Sequence, residues 1–301
     1  MAGTLIDWCS SQIDWRKTMK IGVNTWVWVS PFSTKTFDLI PKVKEMGFDV
    51  LEIALDDASI IDADLLKKML DDNGLTATVC GAFGPMRDIS NEDPAIRQIG
   101  RDYILGSIRF AEKIGSPIFS GPVYSAVGKT RMISEDQKRR ERDWCVENLR
   151  DLGKVAENSG ITIGVEPLNR FESDMVNLVE QASSLIDEVD SPVYKIHIDT
   201  FHGNIEEKSI PDVIRKLGKN KLCHFHACEN DRGIPGSGHQ DWIGIRDALR
   251  EVEYQGAAVI ESFTPGAVEI AKAASIWRPL APSQDELARQ GAEFLTKLFN
   301  S

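Results

Sequence analysis

Five times in this chain a run with helical spacing closes on glycine and a run with strand character begins one or two residues later: Met46-Gly47-Phe48, Asn73-Gly74-Leu75, Ile114-Gly115-Ser116, Ser159-Gly160-Ile161 and Gln255-Gly256-Ala257. Glycine just past a helix accepts the left-handed conformation that ends it, and so short a join turns the chain straight into a strand. Around these joins one unit repeats eight times. The strand patterns are KIGVNTWVW (20–28), VLEIAL (50–55), TATVCGA (76–82), PIFSGPV (117–123), ITIGVEPL (161–168), YKIHID (194–199), KLCHFHA (221–227) and GAAVIESF (256–263). The helical patterns that follow them cover 36–47, 63–73, 94–114, 135–158, 176–189, 210–217, 242–252 and 284–299. Strict strand–helix alternation of this length predicts an α/β protein, a single-domain (β/α)8 TIM barrel, rather than a doubly wound open sheet. No GxGxxG follows the first strand, which argues against dinucleotide binding. Residues 1–18 lie outside the repeat and read as an N-terminal extension, with 19–301 forming the barrel.

Such a barrel gathers its chemistry at the C-terminal ends of its strands. Four strand ends carry metal-capable groups: Glu166 in VEPLNRFE, Asp199 in HIDTFH, His226 in HFHACEN and Glu261 in VIESF. Each is about one unit from the next, so consecutive strands point all four at one mouth. Three carboxylates and an imidazole suit Mn²⁺, with Co²⁺ or Mg²⁺ as alternatives, better than a thiolate-bound structural zinc. A helix cap or an arginine partner is the bland alternative at any one position, but three buried like charges are costly without a cation. His224 and His226 alternate with Phe225 and so share a face, and geometry alone leaves either as the ligand. In the loops that follow, Glu172, His202 and Arg232 are suited to hydrogen-bonding sugar hydroxyls. Trp26, Trp28, Cys80 and Phe83 end the first and third strands and are candidates for an apolar pocket wall. The basic run KRRER at 138–142 reads as a solvated helix face.

Charge narrows the function classes. Thirty-five Lys and Arg against 46 Asp and Glu give a net charge of −11, which repels phosphate backbones and acidic membranes. No apolar run reaches the roughly 20 residues of a membrane span, and five cysteines without a CxxC pair read as free thiols. The expectation is a cytoplasmic enzyme with a small-molecule substrate and neither nucleic-acid nor membrane partners.

The four strand-end motifs, in this order and spacing, resemble the ketose 3-epimerases, the group of D-tagatose, D-allulose (D-psicose) and L-ribulose 3-epimerases in the xylose-isomerase-like barrel superfamily. The similarity runs from about Lys20 to Leu298. It implies a Mn²⁺- or Co²⁺-dependent epimerase of free ketoses acting through a cis-enediolate, usually a homodimer or homotetramer. Glu166, Asp199, His226 and Glu261 would hold the metal, with Glu166 and Glu261 also exchanging protons at C3. The resemblance decides between the histidines, because the family's ligand lies six residues before its substrate-contacting arginine, here Arg232. Glu172, His202 and Arg232 take the family's substrate contacts. NTWVW departs from many members, which bears on the wall around the distal sugar carbons. A metal-dependent aldose–ketose isomerase or a sugar dehydratase would use the same barrel. An apurinic endonuclease would need more than five histidines and a basic groove, and a non-enzymatic binding barrel would not require the complete ligand set.

Overall fold

The computed structural model describes residues 19–300, so the extension read at 1–18 lies outside the described residues. Eight parallel strands close into a barrel in sequence order: β1 Lys20–Asn24, β2 Val50–Leu55, β3 Thr76–Gly81, β4 Ile118–Gly121, β5 Thr162–Val165, β6 Tyr194–Asp199, β7 Leu222–His226 and β8 Ala257–Ile260. The ring is shut by β1 against β8, with Ile21 opposite Ala258 and Val23 opposite Ile260. Helices α1 Leu39–Glu45, α2 Ala63–Asp72, α3 Pro94–Ile114, α4 Glu135–Asn158 and α5 Val179–Val189 follow the first five strands. Then come α6 Thr200–Glu206, α7 Ile210–Lys221, α8 Trp242–Glu251, α9 Val268–Ala273 and α10 Gln284–Phe299. None of them is long and apolar enough to cross a membrane.

Local chemistry explains the sharpest boundaries. The Asp93 carboxylate accepts the Ala95 N–H, Pro94 occupies the first turn of α3, and Gly115 ends it at φ +76°. Ser134 and Ser283 cap α4 and α10, each with two acidic residues in its first turn. Several expectations are corrected. Gly256 is not the left-handed residue of its join; Glu253 is, at φ +52°. The sixth connection holds two helices, because the Asp199 carboxylate caps a separate turn, α6, directly off the strand. α5 starts at Val179 rather than 176, α1 is preceded by a 3-10 turn, and β5 and β8 stop one residue short of Glu166 and Glu261. KRRER is not wholly solvated: Glu141 is buried.

Candidate metal centre and active site

Asp199 and His226 are the last residues of β6 and β7, while Glu166 and Glu261 directly follow β5 and β8. Parallel register sets Asp199 opposite His226. One ligand atom from each of the four residues lies within 4.8 Å of all the others, and all four residues are buried. Asp199 divides its carboxylate: Oδ1 accepts the N–H groups of Phe201 (2.6 Å) and His202 (3.3 Å), leaving Oδ2 for the cluster. The helix cap and the site are therefore served by the same side chain.

The electrostatics are those of a crowded anionic pocket. Burial, and next the charge of Glu261, push the Glu166 carboxyl well above the ordinary range. Burial also opposes ionisation of Asp199, but Arg232, His202 and His226 hold it well below. Burial likewise works against a charged His226, yet Glu52 and Glu261, followed by Asp199, raise it well above an ordinary imidazole. Arg232 reaches in among them, with Nη1 2.7 Å from both Asp199 Oδ2 and Glu261 Oε2. Its guanidinium is stacked between rings, 4.3 Å over Phe201 and 5.1 Å over Phe263.

His226 carries the observation that bears on a cation. Its Nδ1 is buried without a hydrogen-bond partner, 3.6 Å from Asp199 Oδ2 and 3.5 Å from Glu261 Oε2. A ring nitrogen facing only carboxylates at such distances, in a set of one nitrogen and three oxygen donors, fits a hard or borderline divalent ion.

The xylose isomerase-like TIM barrel family model matches residues 40–298. The chain belongs to that family, among its ketose 3-epimerases. It is 35% identical over 277 residues to the D-psicose 3-epimerase of Enterocloster bolteae, covering 90% of this chain and 91% of that one. Among solved structures it is similar to the D-allulose 3-epimerase from Methylomonas sp. in complex with D-allulose (TM-score 0.87, 28% identity, 94% and 98% of the two chains). It is equally similar to the D-psicose 3-epimerase of Clostridium cellulolyticum H10 with D-tagatose (TM-score 0.86, 29% identity, 94% and 100%).

Around the quartet of this ketose 3-epimerase, the expected loop residues converge. His202 Nε2 lies 3.1 Å from Arg232 Nη2 and 3.8 Å from Glu166 Oε1. Burial lowers the His202 pKa, and both of its ring nitrogens face N–H donors: the Asn169 backbone N–H on Nδ1 at 3.1 Å and the Arg232 guanidinium on Nε2, so a neutral ring can accept from only one of them. The Asn169 side chain also donates to Glu172 Oε1 at 2.8 Å, tying Glu172 to His202.

The proposed wall divides. Trp26 and Cys80 pack with Ala54, Phe263, Ala271 and Ile276, next to the rings that hold Arg232; burial, then Glu52, keeps the Cys80 thiol protonated. Phe83 is core filling, edge-on to Tyr103 at 5.4 Å. Trp28 stands apart from this group: its indole donates to Asp285 on α10 at 2.7 Å and Lys42 of α1 lies 5.6 Å over its ring. The stretch after β8 contributes Ala271 and Ile276 to the Trp26 cluster.

Two groups went unread in the sequence. Glu52, within β2 and fully buried, accepts from Asn24 Nδ2 and Thr78 Oγ1 at 3.0 Å each, and lies 2.6 Å from both His224 Nε2 and His226 Nε2. Glu229, also fully buried, takes the N–H groups of Asn230, Gly236 and Gln240 and the Trp242 indole, so it anchors the glycine-rich loop that follows β7. That loop tolerates nothing larger at Gly238, where a Cβ would sit 2.6 Å from Glu229 Oε1. Glutamate followed by Asn-Asp and a run of glycines was the available signal for Glu229. A lone acid inside an apolar strand offered none for Glu52.

Proposed function

We propose that this chain epimerises free ketoses at C3, interconverting pairs such as D-fructose/D-allulose, D-tagatose/D-sorbose and L-ribulose/L-xylulose, with Mn²⁺, or Co²⁺ or Mg²⁺ in its place, as cofactor. The observation that carries the reading is the buried quartet with the unpartnered Nδ1 of His226 turned into it. Glu166, Asp199, His226 and Glu261 would hold the ion. When bound, the cation supplies Lewis-acid stabilisation of the negative charge that develops on the sugar oxygens at C2 and C3.

The protein's own part is proton transfer and positioning. Glu166 and Glu261 come from strands β5 and β8 on either side of the β6–β7 pair, which suits two carboxylates addressing opposite faces of C3. One removes the C3 proton, giving the cis-enediolate of the sugar, and the other returns a proton to the opposite face, with roles exchanged in the reverse direction. Burial beside Glu261 raises the Glu166 pKa, which favours its protonated form and suits it to return a proton. His202 hydrogen-bonds a substrate oxygen or hydroxyl through Nε2, and Glu172 accepts from a hydroxyl while Asn169 holds both. Arg232, gripped by Phe201 and Phe263, binds hydroxyls near C1.

Incubating the protein with free ketopentoses and ketohexoses in D₂O, with Mn²⁺ and after chelation, tests this reading. The expected result is metal-dependent formation of the C3 epimer with deuterium at C3. An aldose product, dehydration or undiminished turnover after exhaustive chelation would refute it.

A further inference from the structure

Glu52 stands one layer below the quartet, at the third position of β2, while His224 and His226 lie across the barrel on β7. We propose that Glu52 is a positioning residue for the metal centre: it accepts the Nε2–H of His226 on one oxygen and that of His224 on the other, and thereby keeps the His226 Nδ1 lone pair turned toward Glu166, Asp199 and Glu261. The inference rests on reading that quartet as a cation site.

The argument is one of donors and acceptors. An ionised carboxylate has nothing to donate, so at 2.6 Å each imidazole donates from Nε2. A cation binds the neutral ring, displacing the second proton, and a neutral imidazole that donates from Nε2 has its lone pair on Nδ1, the atom left without a hydrogen-bond partner beside Asp199 and Glu261. Two further donors complete the Glu52 shell: Asn24 Nδ2 on Oε1, the oxygen that takes His226, and Thr78 Oγ1 on Oε2, the oxygen that takes His224. Asn24 cannot turn round, because its Oδ1 accepts the Trp26 N–H at 2.8 Å. Donors from three strands, β1, β3 and β7, thus fix the one carboxylate of β2, and His197 stacks edge-on to His226 with centroids 4.1 Å apart, restricting the ring. A carboxylate behind a ligating imidazole also makes that imidazole a stronger donor to the ion.

The arrangement predicts a graded response. In Glu52→Gln the amide oxygen must face Asn24 and His226, because Asn24 presents only N–H there, while the NH₂ end meets the rotatable Thr78 hydroxyl and His224, whose proton must move from Nε2 to Nδ1 for that ring to accept. His226 keeps its tautomer but loses the charge behind it. Glu52→Ala loses both. Mn²⁺ affinity, measured by equilibrium dialysis on wild type, Glu52→Gln, Glu52→Ala and the control Glu141→Gln, a buried carboxylate outside this shell, reads this directly, with unfolding of each chelated protein followed in parallel. The expected loss lies within the roughly 10- to 100-fold range of outer-shell substitutions, near the low end for Gln and the high end for Ala, with Glu141→Gln within about threefold of wild type. If Ala does not fold, Gln alone decides. Glu52→Gln binding Mn²⁺ within about threefold of wild type, or Glu141→Gln weakening it as much as the Glu52 variants, overturns the proposal. Wild type that binds no divalent ion would instead refute the reading of the quartet, a result separate from any difference among variants.

Discussion

The barrel buries two clusters of three carboxylates, and they are balanced in opposite ways. Beside α4, Asp88, Glu141 and Asp174 face Lys129 and Arg131: Lys129 Nζ is 2.8 Å from Asp88 and 2.9 Å from Glu141, and Arg131 pairs with Glu141 and Asp174. Two covalently attached cations answer three acids, and the third, Asp174, is partly exposed. At the mouth, Glu166, Asp199 and Glu261 face one guanidinium, and Glu166 is left with a raised pKa. The first cluster is complete as folded and ties together the loops after β3, β4 and β5. The second holds more acids than its one guanidinium answers, an imbalance that a cation would relieve.

Substitutions should separate the two by what they damage. Glu166→Gln and Glu261→Gln should each lower turnover about 10²- to 10⁴-fold, the usual worth of a general acid or base. Melting of chelated Glu166→Gln should be unchanged or higher, since that carboxyl sits among like charges, whereas Glu261→Gln also gives up its ion pair with Arg232. Normal turnover in either would remove the acid–base assignment, and a large fall in melting temperature for Glu166→Gln would place that residue with the structural cluster. Asp199→Ala and His226→Ala should abolish turnover together with metal retention, which metal analysis of the purified variants would report.

Lys129→Met should do the converse. Removing one partner of a buried pair typically costs about 3–5 kcal/mol, readable by denaturant titration, with catalysis per folded molecule near wild type. A milder probe is pH. Burial works against Glu141 ionising, yet hydrogen bonds from Arg131, Gln137 and Lys129 bring its pKa from 4.5 to about 2. A depressed carboxylate contributes stability that is fully present above its unfolded value and is lost as pH falls through the folded one. Stability should therefore decline between about pH 4.5 and 2, and Glu141→Gln should flatten that part of the curve. The smallest effect concerns substrate: ketose phosphates should be poorer than free ketoses, because the glycine-rich loop before α8 already gives its Gly236 N–H to the Glu229 carboxylate, the anionic Asp241 caps α8, and the net charge of −11 gives no steering to a dianion. A preference for any ester, by turnover per unit concentration, would reverse this.

What the sequence made legible follows from the range of each interaction. Alternation of strand and helix is a local signal, and β2 and β6 begin and end where their patterns do. The strand-end acids were legible because the fold gives those positions meaning before any contact is known. Glu141 was not, since within KRRER it reads as one of several solvated charges and only Lys129 and Arg131, from the preceding loop, make it a buried one. Glu52 was hidden for a related reason: its partners lie 172 and 174 residues away, across the closed ring. Trp28 read as a pocket residue by its place after β1, but α10 claims it through Asp285.

That contact between Trp28 and Asp285 has a temporal side. It joins residues 257 apart, as does the Gln284 side-chain donation to the Val27 carbonyl at 2.6 Å, and both brace the seam where β1 meets β8. During synthesis the first strand has only one lasting neighbour until the eighth has emerged, and its outer edge waits through nearly the whole chain. The ring is the last thing to exist, so the mouth that gathers groups from β5 to β8 takes its final shape only when the two ends of the described chain meet.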